Sequence, residues 1–181
     1  MSLIALVLAA AVAAPELTVA PEPPAPAPIT DPLAPAKTGK LLCSSPDQAL
    51  ATCGALASYV FTKDGAIVIR SEVVVSPKPF TTMTASSSVR VRGTEVCGRL
   101  TGVQAATFVI DRKPADEATT AALRTRLGPA FNGFAGVELC TVYVPRWEGF
   151  MALISIGGER RPGLDQPVIW VDPAEGYAVR P

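Results

Sequence analysis

Between Ala57 and Val171 the chain repeatedly alternates apolar with polar residues over short stretches, and glycine or proline punctuates them. A period of two is the imprint of β-strands with one buried face. Ala57, Tyr59 and Phe61 form the first such set. Ile67, Ile69, Val73 and Val75 resume it after Asp64-Gly65, a dipeptide suited to a two-residue type I′ hairpin. Ser76-Pro77-Lys78-Pro79 ends that second strand, because neither proline can donate to a ladder. Further strand-like runs occupy residues 89–92, 96–100, 106–110, 137–144, 150–156 and 168–171.

One substantial helix is predicted, over residues 114–127. Asp116 and Glu117 complement the helix dipole at its start, Arg124 and Arg126 at its end, and Ala118, Ala122, Leu123 and Leu127 make its apolar stripe. Gly128-Pro129 is expected to end or kink it, with Phe131 and Phe134 covering whatever it packs on. Ser45 or Asp47 is expected to cap a short helical turn towards Cys53. Strands dominate and no βαβ rhythm is visible. The predicted fold class is therefore α+β: a largely antiparallel β-sheet with one main helix packed on a face, stabilised by two disulfides.

The first forty residues have a different character. An apolar run beginning at Leu3 fades into alanines, is too short to span a bilayer, and ends in Ala11-Val12-Ala13, an A-x-A cleavage pattern. Residues 1–14 are expected to be a signal peptide. Residues 15–40 hold Pro21, Pro23, Pro24, Pro26, Pro28, Pro32 and Pro35, the composition of a Pro/Ala-rich disordered spacer. Residues 41–181 then form a single α+β globular domain, long enough for one core.

Cys43, Cys53, Cys97 and Cys140 are an even set without a C-x-x-C pair, a spacing unlike a redox motif or a zinc ribbon. In an exported chain they imply disulfides, with Cys43–Cys53 and Cys97–Cys140 the favoured pairing. The sequence contains no histidine, which removes Ser-His-Asp and Cys-His catalysis and H-E-x-x-H zinc sites. Its 16 basic and 16 acidic residues balance, so no field is present to attract nucleic acid. No cofactor, no metal and no stable membrane anchor after processing are predicted.

The loop from Gly157 to Pro167 is the best candidate for binding. Arg160 and Arg161 have the chemistry to grip a carboxylate or phosphate, with Trp170 as an apolar wall, while Glu159 and Asp165 oppose their charge. Arg90, Arg92 and Arg99 are candidates for a basic face. The hydroxyl-rich stretch Thr81 to Ser88 beside Lys78 is the place for a Ser–Lys nucleophile, and Asp111 with Asp116 or Glu117 the place for paired carboxylates. The expected function is that of an exported, periplasmic or secreted, non-catalytic domain binding another protein or a cell-envelope component. The alternatives are a small histidine-independent hydrolase and an inhibitor of an exported enzyme presenting a disulfide-braced loop.

Overall fold

A computed structural model describes residues 29–146 and 148–180. The expected signal peptide and the first half of the spacer lie outside the described residues. Along the chain the elements are α1 (Ala34–Lys37), β1 (Leu41–Asp47), β2 (Thr52–Phe61), β3 (Ile67–Pro77), β4 (Phe80–Arg92), β5 (Glu95–Arg99), β6 (Thr107–Ile110) and β7 (Lys113–Pro114). They continue with α2 (Glu117–Asn132), β8 (Glu138–Arg146), β9 (Gly149–Ile156), β10 (Glu159–Arg160), β11 (Gln166–Val171) and β12 (Ala178–Val179).

The sheet closes on itself. Around the ring the order is β1-β2-β3-β4-β5-β8-β9-β11, each strand antiparallel to the next, and β11 returns to β1 with Trp170 opposite Leu42. This eight-stranded β-barrel corrects the expected α+β architecture, and with it the α+β description of residues 41–181. The helix packs across one end of the barrel, on β4 and its β6 extension, rather than covering a face of an open sheet. Closure leaves an inside and an outside in place of two faces, and it satisfies the edges that an open sheet would expose.

The period of two now decides which residues enter the barrel. Leu42 and Ser44, then Ala55, Ala57 and Tyr59, then Ile69, Ser71 and Val73 point inward from the first three strands. Ala85, Ser87 and Val89, then Val96 and Gly98, then Thr141 and Tyr143, then Ala152 and Ile154 continue the lining. Arg70, Ser86, Ser88, Arg90 and Arg92 occupy the outward positions of β3 and β4 and are exposed. Both disulfides lie outside the lumen. Cys43–Cys53 ties β1 to β2, and Cys97–Cys140 ties β5 to β8 across directly opposed residues.

The two ends of the barrel differ. One is shut by the segment before β1, where Leu33 is 0% exposed and packs with Ala36, Leu42, Tyr143 and Val168. Residues 29–40, assigned to the spacer by composition, are thus partly inside the fold. The sequence signal was diluted by Pro32 and Pro35, yet Pro32 is itself among the most buried side chains and Pro35 stands in the first turn of α1, where a missing N–H costs nothing.

At the other end the wall is interrupted. β4 is long enough to pair with β5 through Val89–Arg92 and with β6 through Thr81–Thr84, and the chain from Leu100 to Val103 fills the gap between them. Thr101 Oγ1 donates to Ser86 O there, 3.2 Å away. Helix α2 lies against this end through Leu123, Leu127 and Phe131, which pack on Met83, Ala106 and Phe108. Asp116 is its N-cap, accepting from Thr119 N at 2.7 Å. The helix begins three residues later than expected and continues through Pro129 to Asn132. Packing of Phe131 offsets the hydrogen bond the proline cannot make.

Two local expectations are also corrected. The expected helical turn is reduced to the tight turn at residues 48–51, which Asp47 caps by accepting from Leu50 N at 3.1 Å, while Ser45 lies within β1 at φ +49°. The β2–β3 hairpin is not a two-residue type I′ loop, because Asp64 keeps a negative φ. Gly65 N donates to Thr62 O at 3.0 Å and Thr62 N to Ala66 O at 2.9 Å, with Gly65 alone at φ +84°, the geometry of a type I turn followed by a glycine bulge.

Candidate functional site

Small side chains at inward positions leave the barrel hollow. Ala55, Ala57, Ser71, Ala85, Ser87, Gly98 and Ala152 stand where larger residues would meet across the axis, and a cavity of about 520 Å³ results. Eight strands enclose an interior that side chains can just fill, or that can hold one small ligand when they do not. The volume falls within the usual range for small-molecule pockets.

Its lining is uncharged. Among the described residues that line it there is no Asp, Glu, Lys or Arg. Apolar residues gather towards the open end: Val73, Met83, Leu100, Val103, Phe131, Leu139 and Ile156, with Phe134 and Leu164 at the rim, 42% and 49% exposed. Hydroxyls sit deeper. Ser44, Ser71 and Thr141 project from the middle of their strands, and none of the three donates or accepts a side-chain hydrogen bond among the described residues.

The floor is built by two tyrosines. β2 and β8 are four strands apart in either direction round the ring, so they face each other across it. Tyr59 and Tyr143 reach inward from these opposed strands until their hydroxyl oxygens are 3.3 Å apart. Burial pushes both phenols above their ordinary pKa, Tyr59 the further, so both stay protonated. Trp170 supports them from β11, its ring centroid 5.9 Å from that of Tyr59 and 6.2 Å from that of Tyr143. Its indole Nε1–H is buried and finds no acceptor among the described residues.

The loop singled out in the sequence lies at the opposite end, beside the mouth. Arg160 makes a bidentate pair with Asp165, at 2.9 and 2.7 Å, and also donates to the Ile154 carbonyl. Arg161 pairs with Glu159 at 2.9 Å. The two arginines thus face carboxylates of their own loop. Trp170 is separated from them by the length of β11, roughly 13 Å at about 3.3 Å per residue, and points into the barrel. The structure does not bring Arg160, Arg161, Asp165 and Trp170 into one site.

Other candidates are similarly dispersed. Arg90 and Arg92 share Glu138, and Arg92 also pairs with Glu95 at 3.0 Å, while Arg99 donates to Gly136 O. Asp111 accepts from Phe80 N, a backbone role like the cap formed by Asp116. Lys78 sits in the β3–β4 turn, whereas Ser86 lies roughly 20 Å further along β4 from Phe80, at about 3.3 Å per residue. The disulfide-braced β1–β2 turn presents one large exposed apolar side chain, Leu50.

The lumen was missed in the sequence because each inward residue was read within its own strand. The available signal was the repeated choice of Ala, Ser and Gly at alternate positions of β2 to β5. Compared with protein-family models, with curated proteins and with solved structures, the chain matches none of them.

Proposed function

We propose that this protein is a non-catalytic binding barrel of an oxidising, extracytoplasmic compartment, and that it holds one small apolar molecule in its lumen. The hollow, uncharged interior, open at the Phe134–Leu164 rim, carries this reading. An apolar cavity of this size favours a ligand that loses little on leaving water, and a cell-envelope membrane is a ready source of such molecules. Two disulfides support an oxidising compartment. The signal-like run in residues 1–14 extends this to export, into a periplasm or beyond the cell. No helix among the described residues is long and apolar enough to cross a membrane.

The absence of histidine in the sequence and the lack of charged side chains in the described lining leave no carboxylate, imidazole or amine base facing the lumen among the described residues, which favours binding over turnover. Fluorescence of N-phenyl-1-naphthylamine, an uncharged probe that brightens in apolar surroundings, tests the proposal. Saturable binding at one probe per chain is expected. Ala85→Trp, which fills the lumen from β4, and the milder Ala55→Leu should weaken binding at least ten-fold and about three-fold, in variants whose circular dichroism matches the parent. Binding that is unchanged in both folded variants would place the probe elsewhere and overturn the proposal.

A further inference from the structure

The polar groups of the lumen also specify which end of a ligand goes in first. Tyr59 and Tyr143 hold two O–H hydrogens between them, and their mutual contact uses one. The second has no partner among the described residues, and the Trp170 indole N–H behind the pair has none either. A buried donor without an acceptor is costly, so the floor is short of acceptors rather than of donors. Towards the mouth the lining is mainly apolar, from Val73 and Met83 to Phe131, Phe134 and Leu164, with Gln166 and the already bonded Thr101 its polar members.

Charge sets a second condition. A carboxylate or phosphate driven to the floor would lose its hydration with no cation in the described lining to balance it. At the mouth, Arg160 and Arg161 are already paired with Asp165 and Glu159.

Building on the lumen-binding proposal, we propose that the ligand is an uncharged amphiphile bearing a carbonyl-type acceptor oxygen (a ketone, ester or amide) at one end. That end enters first and accepts a hydrogen bond from the Tyr59–Tyr143 crossbar, while the apolar body lies along the lumen towards the Phe134–Leu164 rim. This is the reverse of a detergent-like, tail-first insertion.

Competition against N-phenyl-1-naphthylamine with three ten-carbon compounds, n-decane, 2-decanone and decanoate, tests it on the full chain. In the parent protein 2-decanone should displace the probe at least ten-fold more effectively than decanoate at pH 8. In Tyr59→Phe/Tyr143→Phe the preference for 2-decanone over n-decane should fall at least five-fold. If the double variant fails to fold, the infrared C=O stretch of 2-decanone bound to the parent serves instead: a shift to lower frequency than in an alkane solvent is expected, and no shift overturns the inference. A preference that survives loss of the hydroxyls overturns the inference, as does decanoate binding as well as 2-decanone, which would mean a charged head resting at the mouth. In both cases the probe still binds and the lumen proposal stands. Failure of the parent to bind the probe removes both.

Discussion

Gly149 opens β9 where the barrel wall leaves no room for a side chain. A methyl group built there would lie 2.6 Å from Val168 O and 2.7 Å from Ile169 Cγ2, and the first of these is backbone that cannot rotate away. Gly149→Ala should therefore push β9 from β11 and destabilise the fold by about 1–3 kcal/mol. At about 2–4 °C per kcal/mol for a chain of this size, a thermal melt would drop by several degrees. Gly163→Ala is the matched control, since nothing lies within 4 Å of a Cβ there, and its melt should stay within about 2 °C of the parent, as surface changes usually do. The glycine was legible in the sequence as punctuation between the strand-like runs 137–144 and 150–156. Its closer role was not, because the atoms that crowd it belong to a strand beyond the next loop. The alternation that turned Tyr59 inward was equally legible. Its meeting with Tyr143 was not, because strand order alone sets those two residues opposite each other.

At the scale of elements, the return from β9 to β11 shows how one charged side chain completes a ladder. β11 pairs with β9 only as far as Gln166 opposite Ala152, and β10 takes over at Ser155 and Ile156. Between them Ile154 N would go unpaired, and Asp165 Oδ1 accepts from it at 2.9 Å. Its hydrogen bonds with Arg160, aided by that backbone amide, hold the Asp165 carboxyl below the ordinary aspartate pKa. A folded-state pKa below the unfolded one adds stability that is complete above about pH 4 to 5 and is lost as the pH falls through the folded value. Asp165→Asn should lower stability at pH 7 by about 1 kcal/mol, a modest figure because the Arg160 side chain is 44% exposed and water screens the pair. The gap between parent and variant should then close as the pH is brought to about 2. Melts of both proteins across that range decide it, and a gap that stays constant would show that the charge contributes nothing. The opposition of Arg160 to Asp165 could be read from the sequence. Its structural work could not, since only the register of β9 exposes an amide to be satisfied.

Across the whole molecule, what sequence patterning lacked was closure. Most strands were recognisable singly, yet a ring is defined by β11 meeting β1 from opposite ends of the chain, and by β8 returning to β5 after an excursion through β6, β7 and α2. No local period records either contact. The second seam makes the Cys97–Cys140 disulfide the more consequential of the two. It spans 43 residues and fastens the two strands that the excursion separates, whereas Cys43–Cys53 spans 10 and ties strands already joined by a tight turn. By the chain-entropy relation the long bridge is worth about 4 kcal/mol and the short one about 3. The difference is one of loop closure: losing the short bridge leaves β1 and β2 neighbours by connection, while losing the long one leaves β5 and β8 to find each other across a flexible unfolded loop. Cys97→Ser/Cys140→Ser should accordingly lower the urea midpoint more than Cys43→Ser/Cys53→Ser. It should also slow refolding more if closure of this seam precedes the folding barrier. Denaturation and refolding of both double variants, with the remaining disulfide intact in each, provide the comparison. Equal midpoints would mean that the excursion holds β5 against β8 without covalent help, and that the barrel closes by packing alone.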